Sequence, residues 1–120
     1  MLPAAEGPVR VVVHVDDASA DRQRLALGNV ANLLADVGPG DAAVEIVFNG
    51  PAISAVTASS ALSGELSSLR ARGVEILACH NSMVAVGIKS NDLFSGATVV
   101  PSGISHLVRR QRDGWAYIRP

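Results

Sequence analysis

Val9-Arg10-Val11-Val12-Val13-His14-Val15 runs directly into Asp16-Asp17-Ala18-Ser19, an almost unbroken β-branched block followed by short polar residues. A strand with one wet face alternates apolar and polar positions, whereas a continuous apolar run suits a strand covered on both faces, as in a parallel sheet. Asp16 to Ser19 supplies helix-capping side chains, and from Ala20 the period changes to that of a helix. Leu27, Val30, Ala31, Leu34 and Val37 recur at helical spacing until Gly38-Pro39-Gly40 ends the segment.

The same unit recurs along the chain. Ala43 to Phe48 predicts a second strand, and Gly50-Pro51 a helix start, because proline is tolerated at the first helical position. Ala52 to Gly64 carries no charge and predicts a short helix and a loop near Ser59 to Ser63, with another helix from about Gly64 to Arg72. Val74 to Cys79 reads as a third strand, Asn81 to Ile88 as a short helix, and Ala97 to Val100 as a fourth strand. Ser102 to Arg112 reads as a helix and Trp115 to Ile118 as a closing strand. Strands alternating with helices imply right-handed crossovers and a parallel sheet between helical layers. The expected class is therefore α/β, a three-layer α/β/α sandwich with a mainly parallel sheet of about five strands. Residues 1–8 read as an N-terminal tail and residues 9–120 as a single domain.

Composition narrows the functional classes. The chain is 48% hydrophobic in 120 residues, with a mean hydropathy of +0.30. A short chain has much exposed surface, so this apolar excess points to burial in an oligomer. Aromatics make up 3%, which leaves the core to aliphatic residues with Trp115 as the single large anchor. A net charge of −1 offers no electrostatic footprint for nucleic acid or an anionic membrane. Met1 to Pro8 lacks the basic and apolar regions of a secretion signal, and no apolar run approaches the roughly 18 residues of a spanning helix. A cytoplasmic location is the expectation.

In open α/β sheets ligands bind beyond the carboxyl ends of the strands, at a topological switch point. The residues there are His14 to Asp17, Asn49-Gly50, Cys79 to Ser82 and Pro101 to Gly103. Cys79, the only cysteine, cannot form an internal disulfide. Its place between a strand end and a helix start, where unpaired N–H groups favour an anion, suits a reactive thiolate; a buried small hydrophobe is the plainer alternative. Asn81 or Ser82 is a candidate helix cap, and His80, whose side chain diverges from that of Cys79, a solvent-facing residue. His14 would face Cys79 if the first and third strands were neighbours. Asp16 and Asp17 read as caps in the absence of a second ligand cluster, and Arg109, Arg110 and Arg112 as a solvated helix end. No metal site or cofactor is expected: a glycine-rich phosphate fingerprint is missing after the first strand, as is a G-x-S-x-G elbow.

Cys79-His80-Asn81-Ser82-Met83 resembles the C-x-N-[ST]-[LM] motif of the DsrE/DsrF-like family of small sulfur-relay proteins. Val12-Val13-His14-Val15, Asn49-Gly50-Pro51, and Gly87-Ile88 before Asp92-Leu93 match in order and spacing. Val99 to Ile104 and Gln111 to Ile118 resemble the family's closing segments. The resemblance implies homotrimers, or hexamers built from trimers, and a cysteine at the position of Cys79 that carries sulfur as a persulfide. Donor and acceptor would both be proteins, and transfer must be intermolecular because no second cysteine exists. Any enzymatic activity implied is that of a persulfide sulfurtransferase acting through Cys79 alone; from their places at the strand ends, His14, Asn49, Gly50, His80, Asn81 and Ser82 are the candidates for binding or loop-positioning roles. The alternative is a non-catalytic oligomeric module that binds a small molecule or senses redox state, with Ala52 to Gly64 as a flexible lid or an ordinary packed helix.

Overall fold

The structure, a computed structural model, describes residues 8–38 and 40–120. Residues 1–7 of the expected tail, and Pro39 of the Gly38-Pro39-Gly40 turn, lie outside the described residues. The strands are β1 (Val9–Val15), β2 (Ala42–Phe48), β3 (Glu75–Cys79), β4 (Ala97–Val100) and β5 (Ala116–Ile118). The helices are α1 (Ala20–Val37), α2 (Ser63–Ala71), α3 (His80–Val86) and α4 (Gly103–Arg112). All five strands run parallel in the order β4-β3-β2-β1-β5, so the α/β expectation holds.

Connectivity explains why the two faces differ. From β1 to β4 the chain steps across the sheet in one direction, and the return to β5 at the far edge reverses it. A right-handed crossover in the reverse direction must pass over the opposite face. Accordingly α1, α2 and α3 pack Leu27, Val30, Leu66, Leu69 and Met83 against Val11, Val13, Ile46, Phe48 and Ile76 on one face. On the other face, Leu107 of α4 packs against Val12, Val47 and Leu77. The central strands are buried on both sides, the physical reason for their uninterrupted apolar character.

Two expectations need correction. Trp115 is not the anchor of the main core; it lies half-buried beside the smaller cluster, its ring 4.7 Å from the Arg110 guanidinium. The charge-free segment opens with the expected short helix, but of 3-10 and not α type. Gly50–Val56 forms a 3-10 helix whose Ala52, Ile53, Ala55 and Val56 are buried. Thr57 bridges to Leu93, the Ala58 N–H donates to the Asp92 carbonyl, and the Phe94 N–H donates to Val56. Small side chains that expose little apolar area still pack closely here, because Ala and Ser let backbones approach.

Candidate functional site

β3 is followed by α3 on one face of the sheet, whereas β4 is followed by α4 on the other. Adjacent strands whose connections leave in opposite directions open a crevice between two helix N-termini, the expected ligand position in such sheets. Cys79 lies buried at that switch point as the last residue of β3 and the N-cap of α3. Its Sγ accepts a hydrogen bond from the Gly103 N–H, the first helical residue of α4, at 3.2 Å. A Cβ at Gly103 would lie 3.2 Å from the Cβ of Cys79, 3.2 Å from Val47 Cγ1 and 3.3 Å from the Cβ of Asn49. Only glycine brings the α4 backbone this close to the sulfur without displacing a neighbour.

The thiol is 4% exposed. Burial pushes its pKa up, yet the Ser82 hydroxyl and the N–H groups of Gly103, Ser82 and Asn81 outweigh that effect and hold it below the ordinary thiol value. Each donor stabilises the thiolate and has little to offer the neutral thiol. Ser82 is itself held: its Oγ accepts from the Gly50 N–H at 2.8 Å, and Gly50 has φ +56, a left-handed conformation that suits glycine. The Gly50 N–H therefore leaves the Ser82 hydroxyl proton for the sulfur.

Not every predicted site residue takes its expected place. Neither Asn81 nor Ser82 caps a helix; α3 begins one residue earlier than the pattern suggests, at His80, and both lie in its first turn. His80 is exposed, as consecutive side chains diverging would require. His14 does not face Cys79, because β2 lies between β1 and β3. The His14 ring, buried at 7% exposure, instead places Nε2 2.7 Å from Asn49 Oδ1 and Nδ1 2.7 Å from the Tyr117 hydroxyl. Asp17 Oδ1 accepts from the Ser19 N–H, and Ser19 is the α1 N-cap. Asp16 forms an ion pair with Arg119 at 3.0 Å rather than capping a helix.

Sequence reasoning missed a second polar cluster below the crevice. Glu45 on β2 is buried against α4, with Oε1 2.6 Å from His106 Nε2 and 2.9 Å from Arg110 Nε, and Oε2 2.8 Å from Arg110 Nη2. Arg110 is thus a clamp on the sheet and not a solvated helix end. The signal was a single carboxylate inside the apolar run Ala43 to Phe48, where an unpaired charge would be untenable.

Beside Ser82, a shallow groove of about 370 Å³ is lined by Gly50, Pro51, Asn81, Ser82, Ala85 and Val86. Among the described residues no three His, Cys, Asp or Glu side chains gather as a metal site, and no helix is long and apolar enough to cross a membrane.

An all-parallel sheet with a lone thiol between two helix N-termini at its switch point defines a class of small α/β/α proteins built around one strand-end cysteine. The chain belongs to the DsrE/DsrF-like family, whose model matches residues 9–120. Among solved structures it is similar to MTH1491 of Methanobacterium thermoautotrophicum, described as a protein of unknown function, with 41% identity and a TM-score of 0.89; the match covers 93% of this chain and 99% of that one. The fold is shared with the ychN protein of E. coli, at 12% identity and a TM-score of 0.76, covering 96% of this chain and all (100%) of that one. It is shared too with BT1422 of Bacteroides thetaiotaomicron, at 19% identity and a TM-score of 0.74, covering 92% and 94%. No curated protein matches the chain.

Proposed function

We propose that this protein is an intracellular, cytoplasmic sulfur carrier that accepts sulfane sulfur on Cys79 as a persulfide and passes it to a thiol of another protein. Family membership supports a sulfur-relay role. The observation that carries the reading is the Gly103 N–H at the start of α4 donated to the Cys79 sulfur at the start of α3. On loading, the Cys79 thiolate attacks the outer sulfur of a donor persulfide. One S–S bond forms on Cys79, the donor's S–S bond breaks, and the donor leaves as a thiolate, so no oxidant is consumed. On unloading, an acceptor thiolate attacks the same outer sulfur and Cys79 leaves as the thiolate, stabilised by the donors already in place. The single cysteine makes both steps intermolecular.

Intact-mass measurement after incubation with inorganic polysulfide tests this reading. The wild-type protein is expected to gain one sulfur atom and Cys79→Ser none. Equal adducts in both proteins, or none in either, would overturn it. The groove lined by Pro51, Ala85 and Val86 favours the second reading, a small-molecule binding module. That reading predicts a Cys79 that reacts with alkylating reagents only after unfolding.

We also propose that the protein works as a homo-oligomer, a trimer or hexamer. Val84 and Val86 on α3 are 65% and 62% exposed, and Ile104 and Val108 on α4 are 56% and 48% exposed. Burying these side chains between copies would remove their apolar area from water. Light scattering is expected to give a mass of three or six chains at micromolar concentration; a 12.4 kDa particle would overturn the assembly.

A further inference from the structure

The donors around Cys79 converge on Sγ, but a persulfide moves the charge one atom outward. Its terminal sulfur lies about 2.05 Å beyond Sγ. A carrier therefore needs a second donor, placed for the outer sulfur and not for the thiolate. Asn49 stands next to the sulfur. Phe48 and Ala78 are the last register partners of β2 and β3, so the next residues, Asn49 and Cys79, stand side by side on neighbouring strands about 4.8 Å apart. Both Cβ atoms contact the same point at Gly103, 3.3 Å and 3.2 Å away, so their side chains share the face beneath the α4 N-terminus. Among the described residues the hydrogen bond at Sγ comes from the Gly103 N–H, and the Asn49 side chain bonds to His14 instead.

The Asn49 amide is held in one orientation. Its Oδ1 is an acceptor only and meets His14 Nε2 at 2.7 Å, so Nε2 carries the proton between them. In the neutral ring Nδ1 then accepts from the Tyr117 hydroxyl, also at 2.7 Å. Tyr117 is tied into the sheet through the pairing of β5 with β1, opposite Val12. With Oδ1 committed to His14, the amide offers N–H to its surroundings, and among the described residues that nitrogen donates to no protein acceptor. A freely rotating asparagine would present its carbonyl to an anion half the time and repel it.

We propose that Asn49 binds the outer sulfur of the Cys79 persulfide through its amide N–H, with His14 and Tyr117 as positioning residues that fix the amide's orientation. This rests on the carrier reading. The sulfur it recognises is the anionic terminal atom of a persulfide, R–S–S⁻, and not a bare thiolate.

The test uses wild type, Asn49→Ala, Asn49→Asp and Tyr117→Phe, each checked for native circular dichroism. Two quantities are read: the thiolate midpoint from ultraviolet absorbance against pH without sulfur, and, after loading with inorganic polysulfide and its removal, adduct lifetime by intact mass in a fixed excess of a small-molecule thiol, whose thiolate takes the outer sulfur as its own persulfide while Cys79 leaves as the thiolate. Asn49→Ala is expected to keep the wild-type midpoint and lose its sulfur about tenfold faster, the size expected for one hydrogen bond to a charged group. Asn49→Asp, which sets a like charge beside the sulfur, is expected to lose it faster still. Tyr117→Phe, which frees the histidine, is expected to lie between alanine and wild type. Wild-type lifetimes in all three variants would overturn the inference and leave the carrier reading standing, as would a thiolate midpoint raised by Asn49→Ala, which would place the amide on Sγ itself. A wild-type protein that takes no sulfur at all would overturn both.

Discussion

Gly103→Val is expected to destabilise the protein by about 1–3 kcal/mol, the range for overpacking a filled site, and to return the Cys79 thiol toward an unperturbed pKa of about 8.5. The new Cβ would begin 3.2 Å from Cys79 and Val47 and 3.3 Å from Asn49, so these neighbours would have to give by a few tenths of an ångström, and the two methyls add further volume. The least costly relief is for α4 to tilt away from the sheet, which withdraws the Gly103 N–H from Sγ. Alkylation rate against pH reads the thiolate directly; the wild-type midpoint is expected below about 8.5 and that of the variant close to it.

The pH dependence of stability supplies a second signature of the same contact. Because the folded thiol has the lower pKa, the thiolate's contribution is fully present above the unfolded value of about 8.5 and is lost as pH falls through the folded value. The stability gap between wild type and Gly103→Val should therefore widen as pH rises toward 9, a trend visible in denaturant midpoints. A gap independent of pH, with unchanged alkylation, would show that the N–H does not act on the sulfur.

Glu45→Gln is expected to cost about 2–4 kcal/mol at neutral pH, measured by chemical denaturation. The carboxylate is buried, which pushes its pKa up, but hydrogen bonds from Arg110 and His106 more than offset that and leave it lowered. Replacing it with an amide leaves an arginine and a histidine arranged around a neutral group, the costly case for a buried charge cluster. A carboxyl with a lowered folded pKa contributes fully above its unfolded value of about 4.3 and loses that contribution as pH falls through the folded value. The difference between wild type and Glu45→Gln should accordingly be largest at neutral pH and shrink below about pH 4. Equal stability at pH 7 would mean that Arg110 and His106 are satisfied by solvent.

The cluster also bears on the site. Glu45 and Val47 on β2, and Asn49 just beyond its end, alternate onto the face covered by α4, so the clamp at Glu45 seats the same helix whose first N–H reaches the sulfur. A loosened clamp is expected to raise the alkylation midpoint in the same direction as Gly103→Val, by a smaller amount.

Local pattern was enough to read the elements, because each is dictated by neighbours in the chain. The β-branched run Val9 to Val15 reads as a doubly covered strand in any parallel sheet, and Gly73 or Gly114 ends a helix wherever it sits. Cys79 was legible for the same reason: a strand end adjoining a helix start is a fact of chain order. Partners distant in sequence were not legible. That His14 would meet Asn49 and Tyr117 and not Cys79 depends on β2 and β5 flanking β1. Arg110 as a clamp depends on α4 crossing the face that carries Glu45, 65 positions earlier in the chain. The residues alone thus establish the strands, the helices and the thiol at a strand end, since short-range sterics and hydrophobic period suffice for them. Strand order and the reversal of the final crossover decide which donors surround that thiol, because hydrogen bonds form between whatever groups the sheet brings within about 3 Å.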